Sequence, residues 1–182
     1  MNTPLLRDFP PVCLTGYMGA GKTTVGRELA RRLGCPFIDL DTRIETEQRR
    51  TIAEIFASNG EDGFRQLERM ALKDSLRTEH AFVLSLGGGT LQSPEAFISI
   101  EARKMHSIYL QAPIEELWRR CLAGTAVKDV SDRPLFAMGE PSFRERFLQR
   151  ERNYRTAKTT IVTVGKSIDQ VIKDCMVVLG TI

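Results

Sequence analysis

Short apolar runs alternate with longer segments of helical spacing along the chain. Five runs rich in apolar and β-branched residues predict strands at 12–15, 37–40, 81–86, 106–110 and 159–164. The segments between them repeat apolar residues at intervals of three and four, which predicts helices at 22–33, 42–48, 51–58, 61–78, 94–103, 113–123, 140–156 and 167–179. Strands that alternate with helices in this way predict a three-layer α/β/α fold, with helices on both faces of a five-stranded parallel sheet.

The length and the composition fit one globular unit. The chain has 182 residues, 42% hydrophobic and 27% charged, so we predict a single domain over 1–182. The net charge is only +3, which gives no reason to expect nucleic-acid binding. The sequence has no signal-like segment and no apolar run of roughly 18 residues, which predicts a cytoplasmic protein without a membrane partner. We expect this protein to be a monomer.

The segment between the first predicted strand and helix has the pattern of a phosphate-binding loop. It reads Gly16-Tyr17-Met18-Gly19-Ala20-Gly21-Lys22-Thr23, which fits G-x-x-x-x-G-K-[ST]. Glycines let backbone N–H groups surround an anion, and the following helix adds its positive N-terminus. We therefore predict that a nucleoside triphosphate contacts Gly19, Ala20, Gly21, Lys22, Thr23 and Thr24. Lys22 would reach the β- and γ-phosphates, and the hydroxyl of Thr23 would bind Mg2+.

Two other strand ends carry residues that could contact a ligand. Ligands of parallel sheets gather beyond the carboxyl ends of the strands. The second predicted strand ends in Asp39-Leu40-Asp41, and period-two geometry would point both carboxylates over that edge. The third ends in Gly87-Gly88-Gly89, which would let a ligand approach the backbone. The alternatives are a turn and helix cap for the aspartates, and a bare loop for the glycines.

Two further segments supply arginines. Arg65 and Glu68 are three residues apart on a predicted helix, so Glu68 can orient the guanidinium, although such a pair is often only a solvated one. The polar segment 124–139 lies between helices, contains Arg133 and has the character of a mobile lid. The alternative is that Arg133 pairs with Asp129 or Asp132 on a solvated loop.

The motifs together resemble the shikimate kinases, within the nucleoside-monophosphate-kinase-like group of P-loop proteins. The resemblance covers about residues 12 to 180 and depends on the order and spacing of several short motifs. These are the phosphate-binding loop with Thr24, Gly26 and Leu29-Ala30, then Phe37-Ile38-Asp39-Leu40-Asp41, Ile52-Ala53-Glu54-Ile55-Phe56, Gly60-Glu61 with Phe64-Arg65 and Glu68, Gly87-Gly88-Gly89 and Arg133-Pro134-Leu135.

The resemblance implies ATP as co-substrate, Mg2+ as cofactor and shikimate as acceptor. Asp39 would help to hold hydrated Mg2+, and Arg133 would move in with the lid to stabilise the transferred phosphoryl group. Asp41 would bind hydroxyls of shikimate and accept the proton of the attacking one. Arg65 and a later arginine would bind the carboxylate of shikimate, from substrate-binding helices at about 42–78. The backbone of Gly87, Gly88 and Gly89 would contact shikimate and the γ-phosphate.

One departure from the family pattern leaves the second carboxylate ligand open. The family has Arg-x-Pro-x-Tyr before the last strand, whereas this chain has Arg150-Glu151-Arg152-Asn153-Tyr154. Counting back from Tyr154 selects Arg150, with Arg152 as the rival. The adenine contact is poorly marked as well: Arg119 and Arg120 are both candidates, and we choose Arg120.

The resulting hypothesis is an ATP-dependent shikimate kinase of aromatic amino-acid biosynthesis, which phosphorylates the shikimate 3-hydroxyl. The alternatives are a gluconate- or nucleotide-type kinase of the same fold, and a P-loop protein that binds without catalysis. A GTP-binding switch would carry Asn-Lys-x-Asp, and an ATPase motor would carry a strand ending in Asp-Glu. Neither pattern occurs in the sequence.

Overall fold

The computed structural model describes residues 9–125 and 139–182. Arg133 and most of the predicted lid at 124–139 lie outside these residues.

The described strands form one parallel sheet, as the sequence predicts. They are β1 (Val12–Thr15), β2 (Phe37–Asp39), β3 (Val83–Ser85), β4 (His106–Gln111) and β5 (Thr159–Val162), and their order across the sheet is β2-β3-β1-β4-β5. The strand β1 is central: its residue Leu14 is in register with Ser85 of β3 and with Ile108 of β4. Chain order therefore reverses around β1, which places the loops after β1, β2 and β3 beside one another at one edge of the sheet.

Helices cover both faces of the sheet. They are α1 (Lys22–Leu33), α2 (Leu40–Gln48), α3 (Ile52–Ser75), α4 (Pro94–Ala102), α5 (Ile114–Thr125), α6 (Gly139–Tyr154) and α7 (Ile168–Val178), with a 3-10 turn at Thr90–Gln92. Alternation along β1 divides the core between the two faces. Val12 and Leu14 pack into one buried cluster together with residues of α1, α6 and α7, whereas Cys13 packs into the other with residues of α2, α3 and α4.

The two helices predicted at 51–58 and 61–78 meet at a sharp kink. The assigned helix α3 runs through both, but Gly60 inside it has φ 68° and ψ −176°, which is not helical. A positive φ of this kind favours glycine. A capping box starts the helix, because Thr51 and Glu54 satisfy each other's backbone N–H groups. The kink sets the direction of the second half of α3, which carries Arg65 and Glu68.

The boundary between β2 and α2 differs from its prediction. The strand ends at Asp39, and the helix begins at Leu40 rather than at residue 42. Asp39 caps this helix, since its Oδ1 accepts a hydrogen bond from the backbone N of Thr42 at 3.3 Å. The prediction that period-two geometry points both carboxylates over the sheet edge is therefore wrong, because Asp41 lies in the first turn of a helix and not on a strand.

Candidate active site

The phosphate-binding loop joins β1 to α1 and depends on glycine for its path. Gly16, Gly19 and Gly21 all have positive φ angles, of 143°, 82° and 90°. A Cβ on Gly16 would lie 2.8 Å from the carbonyl oxygen of Leu110, and one on Gly19 would lie 2.6 Å from that of Leu117. The loop therefore packs against the neighbouring backbone too closely for any side chain at these two positions.

Lys22 begins α1 and folds back over the loop. Its Nζ donates hydrogen bonds to the carbonyl oxygens of Gly16, at 2.9 Å, and Tyr17, at 3.3 Å. The ammonium group thus lies inside the curve of the loop, next to the positive N-terminus of α1. This combination of a cation and a helix terminus attracts phosphate.

Thr23 and Asp39 bring together, beside the loop, two side-chain oxygen atoms that could bind a metal ion. The Thr23 hydroxyl donates to Asp39 Oδ2 at 2.7 Å. Among residues 9–125 and 139–182, no group of three or more acidic, histidine or cysteine side chains could hold a metal by itself. Mg2+ commonly takes only one or two protein ligands and completes its shell with water and substrate phosphates. This pair therefore fits a magnesium ion that arrives with a nucleotide.

The surroundings of Asp41 raise its pKa to near neutral pH. Burial raises the pKa of its carboxyl to about 7, with further upward contributions from the negative charges of Asp39 and Glu68 and an opposing one from Lys22. A carboxylate with a pKa near the working pH can accept a proton efficiently and release it again. Asp41 is thus equipped to act as a general base.

The glycine triplet follows β3 and runs against these carboxylates. A Cβ on Gly87 would lie 2.7 Å from Glu68 Oε1 and 2.8 Å from Asp41 Oδ1. Any side chain here would displace both acids. The triplet therefore lets two carboxylates from different helices approach the same stretch of backbone.

Arg65 is held in place from three sides. Its Nη1 donates to Glu68 Oε2 at 2.7 Å, and its Nη2 donates to Glu61 at 3.2 Å. The guanidinium also lies 5.3 Å from the ring centre of Phe64. A Cβ on Gly89 would collide with the guanidinium, so the glycine makes room for it. Arg65 therefore faces the glycine triplet in a defined orientation.

Glu68 and Thr90 form a buried hydrogen-bonded pair beside the glycine triplet. Glu68 is 3% exposed, and its Oε1 accepts a hydrogen bond of 2.6 Å from the Thr90 hydroxyl. Helix spacing predicts that Glu68 can orient Arg65, but no local pattern indicates Thr90, because it lies 22 residues from Glu68 in the chain. The pair ties α3 to the segment after the triplet.

The structure separates the two candidates for the second carboxylate ligand. Arg150 is 4% exposed, and its Nη1 lies 3.7 Å from the position of a Cβ on Gly88. Arg152, two residues further along α6, is exposed. Arg65 and Arg150 thus approach the triplet from different helices, whereas Arg152 does not take part in this arrangement.

A cleft of about 440 Å3 extends from the phosphate-binding loop along α5. Both Arg119 and Arg120 line it, and both bond to Glu116. Arg120 also donates to the hydroxyl of Thr163 at 3.0 Å. The opposite wall comes from the segment between β5 and α7 and from the first residue of α7, and no sequence motif marks this region. Its lining residues are Thr163, Gly165, Lys166 and Ile168.

The fold and this site define a P-loop phosphotransferase of the nucleoside-monophosphate-kinase-like type. A family model described as shikimate kinase matches residues 18–179. The chain belongs to the shikimate kinase family.

Individual relatives agree with this assignment. The shikimate kinase of Persephonella marina is 35% identical over 91% of this chain and 96% of its own, and that of Rhodococcus jostii is 38% identical over 94% and 98%. Among solved structures, the shikimate kinase of Acinetobacter baumannii in complex with shikimate has a TM-score of 0.85, with 34% identity and 96% coverage of both chains. A gluconokinase from Sinorhizobium meliloti, at 19% identity and a TM-score of 0.64, shares the fold alone.

None of the helices in the described ranges is both long enough and apolar enough to cross a bilayer.

Proposed function

We propose that this protein transfers the γ-phosphoryl group of ATP to the 3-hydroxyl of shikimate, giving shikimate 3-phosphate and ADP in the route to chorismate and the aromatic amino acids. The observation that carries the proposal is the convergence of Asp41, Arg65 and Arg150 on one glycine triplet beside the phosphate-binding loop. A small acceptor with a carboxylate and hydroxyl groups matches two guanidiniums and one basic carboxylate. The family assignment supports the same reaction.

The nucleotide half of the site works by charge. The loop N–H groups and Lys22 would hold the β- and γ-phosphates and stabilise the charge that moves to the β–γ bridging oxygen as its bond to phosphorus breaks. Thr23 and Asp39 would hold Mg2+, which would supply further charge neutralisation at the phosphates. The cleft beside α5 would take the adenine, with Arg120 as the proposed contact.

The acceptor half works by orientation and proton transfer. Arg65 and Arg150 would bind the carboxylate, which aligns the acceptor hydroxyl with the γ-phosphorus. Asp41 would take the hydroxyl proton as the new oxygen–phosphorus bond forms. Gly87, Gly88 and Gly89 would leave room for the acceptor to approach the backbone. The role of Arg133 at the transferred phosphoryl group stays a prediction, since Arg133 lies outside the described residues.

The direct test is an ADP-release assay with ATP and Mg2+. We expect shikimate to stimulate ADP release far more than quinate, gluconate or any nucleoside monophosphate. Equal or absent stimulation by shikimate would contradict the proposal. Stimulation by gluconate alone would favour the rival kinase of the same fold. The monomeric state, the cytoplasmic location and the lack of nucleic-acid or membrane partners remain predictions.

Alanine substitution at the two neighbouring arginines of α6 tests the acceptor site. We expect Arg150→Ala to raise KM for shikimate by about 10- to 100-fold, the effect of losing a charged hydrogen bond worth ~1.5–3 kcal/mol. KM for ATP should change little. Arg152→Ala is the matched control, because this side chain is exposed on the same helix. A raised KM for shikimate in Arg152→Ala alone would show that the assignment of Arg150 is wrong.

A further inference from the structure

Tyr154 connects the last turn of α6 to the glycine triplet. The side chain is 1% exposed and lies one helical turn after Arg150, so both residues project from the same face of α6. The Tyr154 hydroxyl donates a hydrogen bond to the carbonyl oxygen of Gly88 at 2.5 Å. One buried side chain therefore ties the helix that carries Arg150 to the backbone that Arg150 faces.

The Tyr154 hydroxyl and the Arg150 guanidinium meet at the same glycine. The Arg150 Nη1 and the Tyr154 hydroxyl lie 3.7 and 3.9 Å from the position of a Cβ on Gly88. Burial raises the pKa of Tyr154 above its ordinary value, while the positive charge of Arg150 opposes the shift. The phenol therefore stays protonated and keeps its role as the donor to Gly88.

Arg150 depends on such neighbours for its orientation. Its Nε is buried and has no hydrogen-bond partner within the described part of the chain. Arg65, in contrast, is fixed by both Glu68 and Glu61. The Nε of Arg150 thus has no such fixed partner among the described residues, and the hydroxyl of Tyr154 is a polar group beside this guanidinium.

We propose that Tyr154 is a positioning residue for binding of the acceptor carboxylate. By holding the Gly88 carbonyl, it fixes the distance between the glycine triplet and the guanidinium of Arg150. The inference rests on the proposed function for the identity of the carboxylate, but the anchoring of the triplet is a property of the free protein. The proposed role of Tyr154 involves neither contact with the transferred phosphoryl group nor proton transfer.

Phenylalanine substitution removes the hydroxyl and keeps the ring. We expect Tyr154→Phe to raise KM for shikimate by about 10-fold, as for a buried acceptor that loses its donor, with kcat and KM for ATP changed by less than about twofold. Tyr109→Phe is the matched control: its ring packs 5.5 Å from that of Tyr154, and its buried hydroxyl has no partner among the described residues. That variant should keep both constants. A purely structural role would lower the melting temperature of Tyr154→Phe and leave KM for shikimate unchanged, which would overturn the proposal.

A double-mutant cycle tests whether Tyr154 acts through Arg150. If it does, Tyr154→Phe should have little further effect on KM for shikimate once Arg150→Ala is present. Fully additive effects of the two substitutions would show that the hydroxyl does not position the guanidinium, and they would overturn the proposal.

Hydrogen exchange in the ligand-free protein tests the anchoring without any substrate. The amides of Thr90 and Gln92 donate to the carbonyl oxygens of Gly87 and Gly89, so their exchange reports on the order of the triplet. We expect exchange there to accelerate at least about fivefold in Tyr154→Phe and not in Tyr109→Phe. Unchanged exchange would overturn the anchoring. A wild-type protein without shikimate turnover would contradict the proposed function, and this measurement would still decide the role of Tyr154.

Discussion

Asp41→Asn is expected to lower kcat by about 100-fold or more, because general-base catalysis typically contributes a factor of this size or larger. Asparagine keeps the shape of the side chain but cannot accept the proton of the acceptor hydroxyl. KM for ATP should change much less, since the nucleotide is held by the phosphate-binding loop. Steady-state kinetics with both substrates varied provides the measurement. If only KM for shikimate changes, Asp41 binds the acceptor and is not the base.

The pH dependence gives an independent readout of Asp41. The carboxyl has a pKa of about 7 in the ligand-free protein, so kcat/KM for shikimate of the unaltered protein should rise as the pH passes through that value and the base becomes ionised. The free energy of unfolding changes with pH in the opposite direction from the activity. The pKa of Asp41 is higher in the folded protein than in the unfolded chain, so the ionised carboxylate destabilises the fold. The free energy of unfolding therefore falls as the pH rises from the ordinary pKa of 3.8 through about 7. Asp41→Asn should therefore raise the free energy of unfolding more at about pH 9 than at about pH 5.

Lys22→Ala is expected to lower kcat by about 100-fold or more, with the fold intact. The Nζ of this lysine lies within hydrogen-bond distance of the loop carbonyls of Gly16 and Tyr17, where the phosphates would bind. Removing it takes away a full positive charge at the bond that breaks, and the remaining loop N–H groups carry only partial charges. The measurement is kcat for shikimate-dependent ADP release, together with the far-UV spectrum of the variant.

The control for this substitution is Lys73→Ala, which removes an exposed lysine from α3. It changes the net charge by the same amount without altering the loop, so kcat should stay within about twofold of the unaltered protein. A Lys22→Ala protein with near-normal kcat would contradict the role of Lys22 at the phosphates.

Local sequence information was sufficient where the structure itself is local. The phosphate-binding loop is a short motif whose glycines and lysine act within eight consecutive positions, Gly16 to Thr23. The alternation of strands and helices was also readable, because strands buried on both faces are short continuous apolar runs, whereas the helices repeat apolar residues with a period of 3.6. Even the break in α3 was visible as a gap around Gly60 between two helical patterns. The prediction failed at Asp41, because α2 begins at Leu40, directly after the last residue of β2, so that Asp41 follows helical and not strand geometry.

The acceptor side of the site is a different case, because its residues come from separate segments. The resemblance to the shikimate kinases supplied the roles of Arg65 and the glycine triplet, but it left Arg150 and Arg152 as alternatives.

By itself, the sequence determined the fold class, the phosphate-binding loop and the family to which the motifs point, since each of these depends on short patterns and on their order along the chain. Only the tertiary structure decided which arginine of α6 faces the triplet, that Thr90 anchors Glu68, and that the segment after β5 lines the cleft beside α5. The hydroxyl of Tyr154 meets the carbonyl of Gly88 across 66 positions of chain. Contacts of this kind depend on how α3 and α6 pack on the sheet, and packing is set by the whole core rather than by any local pattern.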